Sequence, residues 1–471
     1  MKKFAVLFLC VITLVFSVFP AFADYTELID SEINKTVEEG SGSYSEIKSD
    51  KVIMFNTDDA QTVVYEKNAD DRADPASLTK MVVGILALRE SGDPEKKVTV
   101  SQKSLDYISG TGWGVLPLYT GEKVTVKDLV YAAVMGNCND AVVVLADEVL
   151  DGTENCVVLM NKYADTVGCD STHFTNVNGS SEKTQYTTAR DMMKIYLDCL
   201  GDPAFGDLFR QVLSAAYYDV EVFDDDGSAE RRTTTTYYAL TSNQFYSSSY
   251  ATAGRFANTS EGKSNVVCSA SYGGYNYVAC VLDSPNGRRD GLVYYQAIAD
   301  ANNLFKWVNN NIKLKTIATK DSYCGEAQVK YSSRYDYVAL CPEANITALV
   351  PVNTNDSSFV YKLKTEDGKP PVLTGSISKG DYICDAEVYY AEMKICETRL
   401  VAANDVAMNP IKVFTSSISR FVSTKFFMWV LFLFIAVVFV GIFMLIKFKK
   451  KVSQDEFMQS RSSEGSSGKD R

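Results

Sequence analysis

Pro75-Ala76-Ser77-Leu78-Thr79-Lys80 is the stretch that decides the fold, because it places a serine and a lysine three residues apart ahead of an apolar run. The run continues as Met81-Val82-Val83-Gly84-Ile85-Leu86-Ala87-Leu88, which predicts a buried helix whose start tolerates the proline. On that helix Ser77 and Lys80 share a face. Burial among apolar neighbours would lower the pKa of the lysine and leave a neutral amine that can take the serine proton. The stretch therefore predicts a serine nucleophile with a lysine base.

The spacing alone leaves a second interpretation open, in which the serine caps a helix and the lysine reaches to solvent over apolar surface. The same Ser-x-x-Lys spacing begins at five other positions, namely Ser45, Ser180, Ser260, Ser376 and Ser466. None of these five is followed by a continuous apolar run that suits a helix. The context, rather than the spacing, singles out Ser77.

Length and charge set limits on the class of protein. A chain of 471 residues is long enough for two or three domains with sizeable cores. It carries 47 Lys and Arg against 59 Asp and Glu, a formal net charge of −12. No basic stripe interrupts this excess outside the C-terminal tail, so we expect no nucleic-acid partner.

Both ends of the chain carry export and anchoring signals. Residues 1–23 combine two lysines, an apolar stretch and a small-x-small cleavage site, which predicts a secretory signal peptide. Residues 426–446 contain no charge and are long enough to cross a bilayer as a helix. The lysines that follow predict that the disordered tail, residues 447–471, is cytoplasmic and that the bulk of the protein faces outward.

Between these ends we expect an α+β protein with helices packed on an antiparallel sheet. Residues 24–50 are predicted to be a polar N-terminal arm, with organised structure beginning near Val52. Residues 51–312 mix strand-like and helical patterns, including helical spacing over 128–150. Residues 313–400 have short alternating segments that predict a small β-rich domain, and residues 401–425 form a linker in which 414–421 is amphipathic.

Ten cysteines remain once the signal peptide is removed. Cross-strand bridges are open for Cys324 with Cys341 and for Cys384 with Cys396, although spacing does not give the connectivity. The other six are expected to be buried thiols. No Cys or His pattern suggests a metal, and the one histidine, His173, lies among loop-forming residues, which favours a structural role over a Ser-His-Asp triad.

The chain resembles the low-molecular-weight penicillin-binding proteins, the serine-type D-Ala-D-Ala carboxypeptidases. The stretch 66–80 is similar to the start of their active site, and four further stretches follow in the same order: Gly121–Leu129, Asn139-Asp140-Ala141, Thr172-His173-Phe174 and Thr188-Ala189-Arg190-Asp191. The resemblance covers roughly residues 50–300. It implies the penicillin-binding-protein or β-lactamase-like transpeptidase fold, and the β-rich domain and C-terminal anchor also match the family's layout.

Three motifs carry the family's chemistry. The resemblance implies that Ser77 is the acylated nucleophile and Lys80 its base. The second motif, Ser-x-Asn, aligns with Asn137-Cys138-Asn139, so Asn139 can hold the substrate amide while Asn137 offers no hydroxyl to relay a proton.

The third motif, Lys-Thr-Gly, aligns without gaps on Arg255-Phe256-Ala257, and Thr252-Ala253-Gly254 is a second register that needs an insertion. Arg255 keeps a cation for the substrate's terminal carboxylate. Phe256 lacks the threonine hydroxyl, and Ala257 adds a β-carbon where glycine lets substrate approach. The oxyanion hole would use the backbone N–H groups of Ser77 and Asn258.

These expectations lead to two functions of different classes. The first is a membrane-anchored carboxypeptidase that trims the terminal D-Ala of peptidoglycan stem peptides through an acyl-enzyme, needs no cofactor, and takes β-lactam antibiotics as covalent inhibitors. The resemblance implies a single-pass protein of the bacterial cell membrane with its catalytic domain outside. The second is a catalytically impaired relative that binds cell-wall peptide or partner proteins without turnover. A β-lactamase is a weaker third interpretation, because no further carboxylate base for deacylation is identifiable.

Overall fold

The computed structural model describes residues 25–38, 45–58, 62–110, 114–224, 226–235, 251–272, 274–289, 292–355, 358–365, 368–390 and 393–464. The predicted signal peptide lies outside the described residues. The helices, in chain order, are α1 (Thr26–Glu38), α2 (Thr79–Ser91), α3 (Gln102–Ile108), α4 (Val126–Val130), α5 (Asn139–Glu148), α6 (Thr153–Val167), α7 (Ala189–Gly201), α8 (Gly206–Ser214), α9 (Gln296–Asn311), α10 (Pro410–Val422) and α11 (Lys425–Glu464).

The strands, in chain order, are β1 (Lys51–Asn56), β2 (Thr62–Lys67), β3 (Lys97–Thr99), β4 (Lys123–Thr125), β5 (Tyr217–Phe223), β6 (Ala229–Thr235), β7 (Ala251–Asn258), β8 (Lys263–Tyr272), β9 (Tyr275–Arg289), β10 (Leu292–Tyr295), β11 (Ile312–Ala318), β12 (Gly325–Lys330), β13 (Tyr337–Pro342), β14 (Ile346–Pro351), β15 (Phe359–Leu363), β16 (Leu373–Thr374), β17 (Tyr382–Tyr390) and β18 (Met393–Ala402). A 3₁₀-helical turn (Ala76–Leu78) leads into α2, and a π-helical turn (Tyr131–Met135) follows α4.

The chain forms two compact units. The first comprises Met1–Thr319, Asn345–Lys362 and Glu387–Thr398, and the second comprises Lys320–Ala344, Leu363–Ala386 and Arg399–Arg471. All candidate catalytic and binding residues belong to the first unit.

An antiparallel sheet of order β2-β1-β9-β8-β7, with β10 paired to β9, is the centre of the first unit. One face carries a core shared with α2 and the helices around it, and the other face packs on α9 and α1. Helix α2 is buried on nearly all sides, as its continuous apolar run predicts, and it ends at Gly92 in the left-handed conformation. A second antiparallel sheet, β3-β4-β5-β6, belongs to the same unit.

The N-terminal segment is more ordered than its composition predicts. We expected organised structure to begin near Val52, but α1 already spans Thr26–Glu38. Tyr25, Ile29 and Ile33 are spaced four residues apart and are all buried. This single apolar stripe fixes an otherwise polar helix to the sheet, which the average polarity of the segment conceals.

The helical spacing over residues 128–150 is interrupted in the structure. Helix α4 ends at Val130, the π-helical turn ends at Met135, and α5 begins only at Asn139. Only glycine fits at the first residue of the break, because a β-carbon on Gly136 would collide with Thr234 Oγ1 and lie 2.9 Å from the backbone oxygen of Ala132. The three residues of the break contain the start of the second motif.

In the described part of residues 313–400 the regular elements are all strands, as predicted. In the first unit β11 pairs with β14. In the second unit β12 pairs antiparallel with β13 and parallel with β16, and the last residues of β18 pair with β13 around a separate small core. The predicted α+β class, with helices on antiparallel sheets and a β-rich C-terminal region, is confirmed.

The predicted apolar helix near the C-terminus is also present, and it continues to Glu464, into the tail of residues 447–471 that was predicted to be disordered. Within α11, residues Lys425–Glu456 are long and apolar enough to cross a membrane, and no other described helix meets that test. Helix α10 begins at Pro410 behind Asn409, whose side chain accepts hydrogen bonds from the backbone of Ile411 and Lys412. Its apolar residues, among them Phe414 and Phe421, are exposed.

The disulfides that spacing left open do not form. Within the described residues Cys324, Cys341, Cys384 and Cys396 are thiols that form no disulfide, as are the six cysteines expected to be buried. A disulfide requires two thiols whose Cα atoms lie within about 7 Å of each other. Cys341, for example, lies opposite Val401.

Candidate active site

The nucleophile candidate lies at a tight turn ahead of α2. Ala76 has a positive φ of 46° and its N–H donates to Asp74 Oδ1 at 2.8 Å. Gly179, itself at φ 78°, packs directly against this turn, so a β-carbon there would collide with the Ala76 carbonyl and lie 2.8 Å from the nitrogen of Ser77. The side chain of Ser77 is half-buried and caps no helix. The hydrogen bond to Asp74 and the contact with Gly179 thus both restrain the backbone next to Ser77.

Lys80 is the buried partner of Ser77 on the same helix. Its side chain is only 1% exposed, which rules out a lysine that reaches to solvent. The Nζ donates to Asn137 Oδ1 at 2.7 Å. Burial lowers the pKa of Lys80 well below the usual lysine value, and the nearby positive charge of Arg255 lowers it further. A neutral amine at this position can act as a base.

Asn137 occupies the break before α5. Its φ of 59° lies in the left-handed region, which asparagine tolerates better than most residues. The neighbouring Cys138 is buried, with Sγ 3.7 Å from Thr234 Oγ1 and 3.7 Å from the Gly136 carbonyl. Burial, with a smaller contribution from Asp140, raises the pKa of the Cys138 thiol to about 11, so the thiol stays protonated. Thr234 of strand β6 therefore packs against the second motif at Cys138.

Arg255 lies on the central sheet, and its side chain also reaches Asn137. Strand β7 pairs with β8, with Arg255 opposite Val267. Its Nη2 donates to Asn137 Oδ1 at 2.7 Å and lies 3.5 Å from the backbone oxygen of Ser77. The side chain is 5% exposed, and its Nε has no hydrogen-bond partner among the described residues. Burial lowers the pKa of Arg255 to about 10, which leaves it positively charged at neutral pH.

The other two residues of the third motif point in different directions from one another. Phe256 faces the core on the α9 side of the sheet, where its ring packs edge-on against Tyr295 at 4.9 Å. Ala257 belongs to the core on the opposite face, where α2 lies. The loss of a threonine hydroxyl at position 256 is therefore a change in packing beneath the strand in this structure, rather than a gap beside Lys80.

Asn139 and Asn258 lie at the edges of this cluster. The backbone N–H and side-chain Nδ2 of Asn139 both donate to the Gly114 carbonyl, at 2.8 and 3.1 Å. The next residue, Asp140, accepts hydrogen bonds from the backbone N–H groups of Leu116 and Leu118, so it holds the same loop. Asn258 is exposed at the end of β7, opposite Ser264.

The structure thus brings Ser77, Lys80, Asn137 and Arg255 together, although the first and last are 178 residues apart in the chain. Arg255, the residue that the alignment without gaps assigns to the third motif, is part of this cluster. Sequence reasoning missed Gly179, because the Asn178-Gly179 pair has the pattern of an ordinary turn and nothing in it points to the nucleophile. His173 is at an exposed bridge with Tyr186.

Comparison with known proteins identifies the family of this chain. The model of the S11 peptidase family, described as D-alanyl-D-alanine carboxypeptidase, matches residues 35–286, more than half of the 471 residues. The chain therefore belongs to the D-alanyl-D-alanine carboxypeptidase family.

Individual relatives agree with the family over different lengths. Bacillus subtilis DacF is 31% identical over 134 residues, 28% of this chain and 34% of DacF. Escherichia coli DacC is 37% identical over 138 residues, 28% of this chain and 34% of DacC. The alignments therefore span about a third of the length of these two relatives. Escherichia coli DacD matches more of the chain, at 24% identity over 348 residues, 72% of this chain and 82% of DacD. All three are described as D-alanyl-D-alanine carboxypeptidases.

Solved structures show the same fold. Penicillin binding protein 5 from Haemophilus influenzae aligns with a TM-score of 0.55 and 20% identity over 77% of this chain and 98% of that protein. The carboxypeptidase DacD from Francisella tularensis aligns with a TM-score of 0.60 and 18% identity over 77% of this chain and 95% of that protein.

Proposed function

We propose that this protein is a membrane-anchored serine carboxypeptidase that removes the terminal D-Ala from peptidoglycan stem peptides through an acyl-enzyme on Ser77. The observation that carries the proposal is the buried Lys80 amine, which shares the acceptor Asn137 Oδ1 with Arg255. A buried lysine whose pKa is lowered by burial and by a neighbouring cation is a candidate for proton transfer. The names of the relatives support the substrate class.

The first chemical step uses Lys80 as the base. Neutral Lys80 Nζ takes the Ser77 Oγ proton while Oγ attacks the carbonyl carbon between the two D-alanines. The backbone N–H groups of Ser77 and Asn258 would stabilise the oxyanion, and Asn139 would hold the substrate amide. D-Ala then departs, and water releases the shortened peptide from Ser77. No step requires a cofactor.

Substrate selection is assigned to Arg255. The terminal carboxylate of the substrate is an anion, and the guanidinium of Arg255 keeps its positive charge 3.5 Å from the backbone oxygen of Ser77. β-Lactam antibiotics offer a strained amide with a carboxylate nearby, and we expect them to acylate Ser77 covalently. The carboxylate and the acyl group would occupy the same two positions in both kinds of ligand.

The membrane anchor is part of the proposal. The apolar helix within α11 supports single-pass anchoring, and the lysines after it favour a cytoplasmic tail. The enzyme would then act outside the bacterial cell membrane, where its substrate is.

The alternative function is a catalytically impaired relative that binds cell-wall peptide or partner proteins. Asn137 favours it, because a carboxamide has no hydroxyl to relay a proton and its oxygen already accepts from two side chains.

D-alanine release from a pentapeptide ending in D-Ala-D-Ala separates these functions. We expect the full-length protein in detergent to release D-alanine and its Ser77→Ala variant to release none. Release that persists in Ser77→Ala would overturn the assigned nucleophile. Absence of release from the folded wild type would favour the binding function.

Acylation should depend on pH through Lys80. Only the neutral amine accepts the serine proton, so the acylation rate should rise with pH and level off above the pKa of Lys80. Because burial and Arg255 lower that pKa, the rise should end well below the usual lysine range. The charged and titratable groups around Lys80 are Arg255 on β7 and the Cys138 thiol ahead of α5, and the thiol is protonated throughout this range.

Removal of the positive charge of Arg255 tests whether that charge helps to lower the pKa of Lys80. In Arg255→Gln the pKa of Lys80 should increase, so the rise in acylation by a β-lactam should move to higher pH. An unchanged pH profile would contradict the electrostatic coupling of the two cations.

A further inference from the structure

The turn that carries Ser77 is tied to the central sheet through a buried asparagine. Asn265 of strand β8 is fully buried, and its Nδ2 donates to the backbone oxygen of Asp74 at 2.7 Å. Its Oδ1 accepts a hydrogen bond from the backbone N–H of Asp283 at 2.8 Å. Because one partner is a carbonyl and the other an N–H, the carboxamide fits in one orientation only. Asn265 therefore links the residue three positions before Ser77 to strand β9.

The β9 end of this link is an irregularity in the sheet. The pairing of β8 with β9 shifts between Ser264 and Val266, so that Leu282 and Asp283 together face Asn265. Asp283 has a φ of 58°, in the left-handed region. Such a bulge leaves one residue out of the ladder. The side chain of Asn265 supplies an acceptor for the N–H of that residue, so it satisfies the bulge and the turn at the same time.

A second contact joins the same two places. Lys51 Nζ pairs with Asp283 Oδ2 at 2.8 Å and donates to the backbone oxygen of Arg72, also at 2.8 Å. The side chain of Lys51 is 18% exposed, whereas Asn265 is fully buried. We refer to Lys51, Asn265 and Asp283 as the brace. The brace holds the backbone ahead of the nucleophile at two carbonyls, those of Arg72 and Asp74.

The same asparagine adjoins the strand of the third motif. In the pairing of β7 with β8, Asn265 faces Ala257 and Ser264 faces Asn258. The two proposed oxyanion donors are the N–H of Ser77 on the turn and the N–H of Asn258 on β7. Such donors are effective only when both lie about 3 Å from the oxyanion, so the turn and the strand must keep a fixed separation. Asn265 contacts both.

We propose that Asn265 is a positioning residue of the oxyanion hole, which sets the N–H of Ser77 against that of Asn258 with the support of Lys51 and Asp283. The inference rests on the proposed acylation of Ser77. Asn265 acts through the backbone of Asp74 and through strand β7 rather than on the substrate. Its loss should therefore weaken binding of the tetrahedral intermediate and leave binding of the intact ligand unchanged.

Asn265→Asp tests the proposal, because it removes the donor to Asp74 at nearly constant shape. The full-length protein in detergent would be mixed with excess β-lactam at several concentrations. The labelling rates give the dissociation constant of the non-covalent complex and the acylation rate constant separately, and only molecules with a folded site contribute. We expect the acylation rate constant to fall by about 10²-fold, the lower end of the effect of losing one oxyanion donor, at an unchanged dissociation constant.

Asn303→Asp is the matched control. Asn303 of helix α9 is also buried, and its carboxamide also bonds a backbone carbonyl and a backbone N–H, both of Ser45. This helix packs on the face of the sheet opposite α2. Asn303→Asp should lower the melting temperature and acylate at the wild-type rate constant. If Asn265→Asp does the same, Asn265 only stabilises the fold and the proposal is overturned.

Lys51→Met tests the brace at a position where the variant should fold, since Lys51 is partly exposed and Asp283 keeps Lys263 as an ion-pair partner. The acylation rate constant should fall in this variant too, but by less, because the bond from Asn265 to Asp74 remains. If Asn265→Asp yields no folded protein, an unchanged rate constant in Lys51→Met overturns the proposal. A folded wild type that is not acylated at all would instead overturn the proposed function.

Discussion

Lys80→Met is expected to lower acylation of Ser77 by about 10²–10⁴-fold, the range that a general base contributes. Methionine has a similar length and no basic nitrogen, so the proton of Ser77 would have no acceptor. The fold should not suffer, because Lys80 is fully buried next to a second cation and its desolvation costs stability. The melting temperature of the variant is therefore expected to equal or exceed that of the wild type.

Lys162→Met is the matched control, since Lys162 is an exposed lysine of helix α6. Both variants would be treated with a fluorescent β-lactam, and the rate of covalent labelling would be compared with thermal unfolding. Labelling of Lys80→Met at the wild-type rate would remove Lys80 from the mechanism. A large loss of stability in Lys80→Met would show that the amine has a structural role.

Gly179→Ala is expected to disrupt the nucleophile turn more than any substitution at the surface. A left-handed backbone costs alanine about 1–2 kcal/mol, and Gly179 has φ 78°. In addition, the new β-carbon would collide with the Ala76 carbonyl and crowd the nitrogen of Ser77. Such overpacking typically costs about 1–3 kcal/mol more. Because the N–H of Ser77 is a proposed oxyanion donor, acylation should fall by about 10²–10³-fold.

Gly168→Ala separates the two causes. Gly168 has nearly the same φ, 77°, at the end of α6, but a β-carbon there meets nothing within 4 Å. This control should lose stability only through its backbone conformation and should label with a β-lactam at the wild-type rate. Equal labelling rates in Gly179→Ala and Gly168→Ala would contradict the view that Gly179 positions Ser77.

The main helix and the first motif could be predicted from sequence because their signal is local. The run from Met81 to Leu88 is apolar on every side, which suits only a helix buried in the core. Helix α1 has a weaker signal, a stripe formed by Tyr25, Ile29 and Ile33 along a mostly polar segment, and was overlooked for that reason. In α2 the continuous apolar run carries the information, whereas in α1 the four-residue periodicity does.

The arrangement of the second and third motifs depends on distant contacts. Apolar spacing over residues 128–150 looks continuous, and nothing in it shows that the helix stops near Gly136 or that the distant Thr234 packs there. From the sequence, Asn137 indicates only that the serine hydroxyl of the second motif is missing. Its function as a common acceptor for Lys80 and Arg255 emerges only when residues 57 and 118 positions away are brought beside it.

The central claim is that Ser77 becomes covalently acylated with Lys80 as its base, and intact-mass spectrometry tests it most directly. Three proteins would each be incubated with a β-lactam and their intact masses measured: the full-length wild type, Ser77→Ala and Lys80→Met. We predict that the wild type gains the mass of one β-lactam, on the peptide that contains Ser77, and that the two variants gain none in the same time. A wild type that stays unmodified while folded, or a Ser77→Ala variant that is modified equally, would contradict the account.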